Sequence, residues 1–116
     1  MSTEFALDLR TARRKAGFTQ GDIAHLLDHH QSRVSDLEQG RERPTLEQIV
    51  TLSLIYGRSF ESLFGEVLDE GRQSLTTRLG TLPPSGLGLA STYNRKSSIR
   101  KLKRRLAASD TTNDGA

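Results

Sequence analysis

The chain has 116 residues, a formal charge of +3, 34% apolar and 5% aromatic residues, and neither cysteine nor tryptophan. That length suits one small domain with an appendage, and the missing cysteine excludes a disulfide frame and a thiolate metal site. No apolar run approaches the roughly 20 residues of a membrane span, and "MSTEFALDLR" has no basic start leading into an apolar core, so the expectation is a cytoplasmic protein without a secretory signal.

In chain order, residues 4–16 predict a first helix, with Phe5, Leu9, Ala12 and Ala16 on one stripe and Gly17 suited to end it. "TQGDIAHLL", residues 19–27, predicts a short second helix, with Thr19 as N-cap, Asp22 in its first turn, and Ile23, Ala24 and Leu27 facing inward. Asp28 breaks it, because Asp tolerates a left-handed backbone better than most residues. Residues 31–39 predict a third helix closed by Gly40, and "RERP" is a polar loop ending in Pro44. Thr45 with Gln48 three positions on forms a capping-box pattern. The fourth helix behind it is apolar nearly all round (Leu46, Ile49, Val50, Leu52, Leu54, Ile55, Tyr56) and stops at Gly57. A helix of that kind is central or shared with a partner.

Ser59 caps a fifth helix whose Phe60, Leu63 and Phe64 face the core. The apolar stripe runs on through Leu68, Leu75, Leu79 and Leu82, with Gly65 and Gly71 as points of weakness. The expected organisation is a domain over 1–64, a helical extension over 65–82 and a linker over 83–91. A basic amphipathic helix over 92–107 and a disordered tail over 108–116 follow. Between residues 92 and 106 stand seven basic residues and no acid: Arg95, Lys96, Arg100, Lys101, Lys103, Arg104 and Arg105. Ile99, Leu102 and Leu106 make an apolar stripe there.

Two short helices joined by a tight turn inside a five-helix core point to a helix-turn-helix. "GFTQGDIAHLLDHHQSRVSDLEQGRERPTLEQI" resembles the Cro/C1 (XRE-type) family of bacterial and phage transcriptional regulators. The residues that carry the likeness are Gly17, Thr19-Gln20, Ile23-Ala24, Leu27, Val34-Ser35, Leu37-Glu38, Gly40 and Pro44. Any two of them are a weak signal; the whole set in order and at family spacing is a strong one. The resemblance implies an all-α, lambda-repressor-like five-helix domain. The second helix crosses the DNA backbone and the third enters the major groove N-terminus first.

It further implies base contacts from Gln31, Ser32, Arg33 and Asp36, with Ser35 nearby. Ser32, Ser35, Asp36 and Gln39 lie opposite Val34 and Leu37 on the helical wheel, with Gln31 and Arg33 at the leading end. Their chemistry suits base edges: Gln for adenine, Arg for guanine, and Asp as acceptor from the cytosine amino group. A merely solvated helix face is the alternative, and the family spacing weighs against it. Thr19, Gln20, His30, Gln39, Arg41 and Arg43 are the implied phosphate contacts, with a charged, solubilising loop as the alternative for Arg41 and Arg43. Arg13 and Glu38, each at the edge of an apolar stripe, are an implied structural ion pair. Two positions depart from the family pattern: Asp28 replaces the turn glycine, and His29 replaces a small aliphatic residue.

His25 and His29 are four apart, a spacing that binds zinc on a continuous helix. Asp28 interrupts that helix and no Glu follows His25, so neither a metal site, a cofactor nor a catalytic residue is expected. The chain therefore reads as a DNA-binding regulator, not an enzyme: a repressor, autoregulatory in its simplest form, that binds a palindromic operator as a homodimer. Candidate dimer surfaces are Ile55, Tyr56 and Phe60, and the Leu68–Leu75–Leu79–Leu82 stripe; alternatively those leucines fold back, packing with Ile99, Leu102 and Leu106. One rival is an antitoxin that neutralises a small protein partner through residues 66–106. The other is an RNA-binding protein led by the basic helix, whose seven cations otherwise serve as auxiliary DNA contacts.

Overall fold

The computed structural model describes residues 3–84 and 89–114, and within the last helix the side chains of Thr92 to Ala108. Residues 85–88, within the expected linker, and 115–116, within the expected tail, lie outside the described residues. The described chain is all α: α1 (Glu4–Ala16), α2 (Gln20–Leu27), α3 (Gln31–Glu38), α4 (Leu46–Tyr56), α5 (Phe60–Leu63), α6 (Gly65–Gly80) and α7 (Leu89–Asp114).

The first five helices begin and end where local chemistry places them. The Thr19 hydroxyl accepts from the Asp22 N–H, and the Asp22 carboxylate accepts from the Thr19 N–H, closing a reciprocal cap at the start of α2. The bond from the Thr19 N–H, with the Thr19 hydroxyl next in weight, holds the Asp22 carboxyl below the usual carboxylate range. Thr45 and Gln48 repeat the arrangement at α4, and the Ser59 hydroxyl accepts from the Ser62 N–H at α5. Asp28 ends α2 in the left-handed region, φ 57° and ψ 49°, so the turn survives without the glycine that the family pattern puts there. Gly40, at φ 75°, ends the α3 turn, and a Cβ there would lie 3.0 Å from Thr3 Cβ, so both conformation and space favour glycine.

The core is one cluster of Phe5, Ala6, Leu9, Ala12, Ile23, Ala24, Val34, Leu37, Leu52, Leu63 and Phe64. Every element from α1 to α5 contributes, which makes the placement of α3 a consequence of core packing. Phe64 stacks on Phe60 (5.3 Å between centroids) and meets Phe5 in a tilted arrangement (6.0 Å). Ile55, Tyr56 and Phe60, expected on an outer dimer face, pack against this cluster instead. The outer face of α4 is formed by Leu46, Val50 and Leu54, at 72%, 54% and 78% exposure. Helical periodicity sorts faces but does not say which neighbour covers each of them.

The chain divides into two compact units, Met1–Glu70 and Gly71–Ala116. The break after α5 falls at Phe64–Gly65, while Gly71 stays within α6. In the second unit, α7 begins at Leu89 and continues to Asp114, taking in part of the expected linker and most of the expected tail. No Gly or Pro stands between residues 89 and 114 to stop it. Ile99, Leu102 and Leu106 are half-buried, and a shallow groove is lined by Thr76, Leu79, Leu106 and Ala107. No helix among the described residues is long and apolar enough to cross a membrane.

Candidate nucleic-acid interface

The site is built outward from a buried ion pair. Arg13 Nε donates to Glu38 Oε2 at 2.7 Å and Nη2 donates to Oε1 at 3.0 Å, with the side chains only 11% and 4% exposed. The remaining Arg13 nitrogen, Nη1, donates to the Phe18 carbonyl at 3.0 Å. Two-pronged bonding to Glu38 raises the Arg13 pKa further, so the guanidinium stays charged. Beside the pair, burial and the Glu38 charge push the Tyr56 phenol up to about 12. A largely buried pair of this kind fixes α1 against the end of α3.

A polar chain leads from that pair to the protein surface. Gln20 Nε2 donates to Glu38 Oε1 at 3.2 Å, and Gln31 Nε2 donates to Gln20 Oε1 at 3.4 Å. The Gln20 amide links the buried carboxylate to the first residue of α3. The Gln20 backbone N–H remains at the start of α2, in the first turn that favours anions. Gln31 is thereby held at one end, which limits its rotamers.

The exposed side of α3 carries Gln31 and Ser32 fully at the surface, with Ser35 and Asp36 half-exposed behind them; Val34, Leu37 and Glu38 face the core. Gln39 Nε2 donates to Ser35 Oγ at 3.0 Å, and Asp36 lies 3.6 Å from Arg41. His30 is the N-cap residue, exposed, with no side-chain cap bond. Thr19 remains at the surface on its cap, and Arg43 lies 5.8 Å over the Phe5 ring.

Arg33 departs from this group. Its guanidinium pairs with Glu42 and donates through Nη2 to the Arg43 carbonyl and to Gln48 Oε1, both at 3.3 Å. It therefore ties α3 to the 40–44 loop and the start of α4. The sequence signal for this was the acid at Glu42 beside a Gln48 already committed to the cap, and it was visible only once the loop path was known. His25 and His29 are both exposed, with the left-handed Asp28 between them.

Residues 9–63 match the helix-turn-helix family. This segment is a Cro/C1-type helix-turn-helix domain. The match spans the α2–turn–α3 motif together with most of α1 and the helices behind it. No curated protein and no solved structure matches the chain.

Within the helix-turn-helix domain, α2 and α3 divide the chemistry as the fold requires. The domain is a DNA-binding regulator's module: α2 presents its capped N-terminus, and α3 presents the short polar side chains Ser32, Ser35 and Asp36 flanked by Gln31. The first turn of α3 holds no acidic residue, so its N–H groups meet approaching anions unopposed.

Proposed function

We propose that the chain is a sequence-specific transcriptional repressor that binds a palindromic operator as a homodimer, regulates its own synthesis in the simplest arrangement, and resides on the nucleoid when bound. The observation that carries the reading is the pinned polar face of α3: Gln31, Ser32, Ser35 and Asp36 on a helix whose opposite side is buried and whose leading Gln is tied through Gln20 to Glu38. Hydrogen-bond readout of base edges needs donors and acceptors in fixed places, and this network supplies that fixity.

Gln31, Ser32, Ser35 and Asp36 are assigned to base edges. Thr19, His30, Gln39, Arg41 and Arg43, with the Gln20 N–H, are assigned to phosphates. Arg33 is assigned to the loop; it reaches a base only by leaving Glu42. One such domain brings three or four side chains to bases, and two related by a dyad double the site, with half-sites about 34 Å apart or a multiple of that. The exposed Leu46–Val50–Leu54 stripe of α4 is the candidate dyad contact in the first unit.

Selection of bound sequences from random duplex DNA tests the reading. Enrichment of a palindrome, lost in Ser32→Ala/Asp36→Ala, is the expected outcome. A pool with no enriched motif would contradict sequence-specific regulation, and an asymmetric single motif would contradict the dimer.

A further inference from the structure

The charge of the chain is divided unevenly between its two units. Residues 1–70 contain eight Lys/Arg and twelve Asp/Glu, a net −4, whereas residues 71–116 contain nine Lys/Arg and two Asp/Glu, a net +7. The first unit is therefore net acidic, its excess lying outside the matched residues 9–63, which hold eight Lys/Arg and seven Asp/Glu, a net +1. Duplex DNA carries about one negative charge per 1.7 Å of axis, and neutralising phosphates supplies most of the non-specific affinity. On charge alone the first unit approaches its target against long-range repulsion.

The second unit holds the compensating charge in an ordered form. On α7 the exposed Lys96, Arg100, Lys103 and Arg104 fall on one face at i, i+4, i+7 and i+8, with Tyr93 among them at 71% exposure and Lys101 at the margin. Ile99, Leu102 and Leu106 occupy an adjoining, half-buried face, and Lys103, though exposed, also lines the groove with Leu79 and Leu106. Arg95 is used differently, donating to the Pro83 carbonyl. At 1.5 Å rise per residue, residues 96–104 cover about 12 Å. A duplex presents roughly seven phosphate charges over the same length.

We propose that this face of α7 is a second, sequence-independent contact to duplex DNA, gripping phosphates while α3 reads bases. The proposal rests on the preceding reading, that the first unit binds a duplex. Covalent linkage then holds α7 at an effective concentration of about millimolar near DNA already engaged by α3. A single-stranded target would call for a row of aromatic rings on which successive bases stack. The described part of α7 offers one aromatic, Tyr93, whose hydroxyl suits a phosphate oxygen.

The test uses the full chain and its Lys96→Gln/Arg100→Gln/Lys103→Gln/Arg104→Gln variant. Binding is followed by fluorescence anisotropy on mixed-sequence duplex and on single-stranded RNA, from roughly 50 to 200 mM salt. The helical circular dichroism band checks that α7 is retained. For the variant, the slope of log affinity against log salt on duplex should be shallower by about 3 to 4, near 0.9 per lost contact. Arg100→Lys/Arg104→Lys should keep the wild-type slope, because a phosphate accepts a point charge as readily as a planar one. An unchanged duplex slope with the helix intact would overturn the proposal. So would a loss confined to RNA, which would assign the face to that polymer. Since the slope is read on mixed-sequence duplex, failure to find an operator leaves this test standing.

Discussion

Two polar helices of this chain, α3 and α7, are built on different terms. α3 is short and held from behind by buried Val34, Leu37 and Glu38, and its one arginine is engaged by Glu42 and Gln48. What it shows to solvent is Gln, Ser and Asp, with no net positive charge. α7 is long and cationic along its middle, and none of its described side chains is better than half-buried. On the proposed reading, one small protein separates choice from grip. Hydrogen bonds to base edges are directional and demand a fixed scaffold; attraction to phosphates is not directional and demands only charge.

The comparison breaks most readily at the scaffold. Arg13→Met strands Glu38 in a buried position and should lower the stability of the first unit by about 3–5 kcal/mol. The loss is expected as an earlier thermal transition, with much of it recovered in Arg13→Met/Glu38→Leu. A variant as stable as the wild type would show that α3 is not anchored by this pair. Next in size is Gly40→Ala, which forces a left-handed alanine against Thr3 and should cost about 1–2 kcal/mol in urea unfolding. A cost near zero would mean that the turn after α3 yields easily.

In the opposite direction, Asp28→Gly relieves a non-glycine residue at φ 57° and should stabilise the domain by about 0.5–1 kcal/mol. The smallest effect is at the α2 cap. The Asp22 carboxyl is held low by bonds to the Thr19 backbone N–H and hydroxyl. Its contribution is therefore present above the ordinary carboxylate range and disappears as pH falls through its lowered pKa. Asp22→Asn should flatten that part of the acid-stability curve while leaving neutral-pH DNA binding nearly unchanged.

The local parts of this architecture were legible in the residues. Thr19, Thr45 and Ser59 announce helix starts because a hydroxyl caps its own first turn, and Gly17 and Gly57 announce ends. Arg13 and Glu38 stand at the edges of two apolar stripes, where a charge needs a partner. Relations set by the path of a loop or the choice of neighbour were not legible. Arg33 turns to Glu42 only because residues 40–44 pass beside it, and Gln20 reaches inward only because Glu38 has an oxygen left to share. Leu46, Val50 and Leu54 form the exposed face of α4, whereas Ile55 and Tyr56 are half-buried because they pack against the core. The length of α7 was underestimated because a polar, uncapped sequence reads as a tail even where nothing in it stops a helix.

The proposed division of labour puts sequence choice on Ser32 and Asp36 of α3 and affinity on charge elsewhere. Its most direct test is the ratio of affinities for the selected duplex and a scrambled one, measured at fixed salt for the wild type and for Ser32→Ala/Asp36→Ala. Each lost base contact is worth about 1–3 kcal/mol of discrimination. The ratio should therefore fall by roughly tenfold or more, while affinity for the scrambled duplex holds or rises slightly as an acid is removed. An unchanged ratio, with both duplexes weakened alike, would contradict the assignment of α3 as the reading helix.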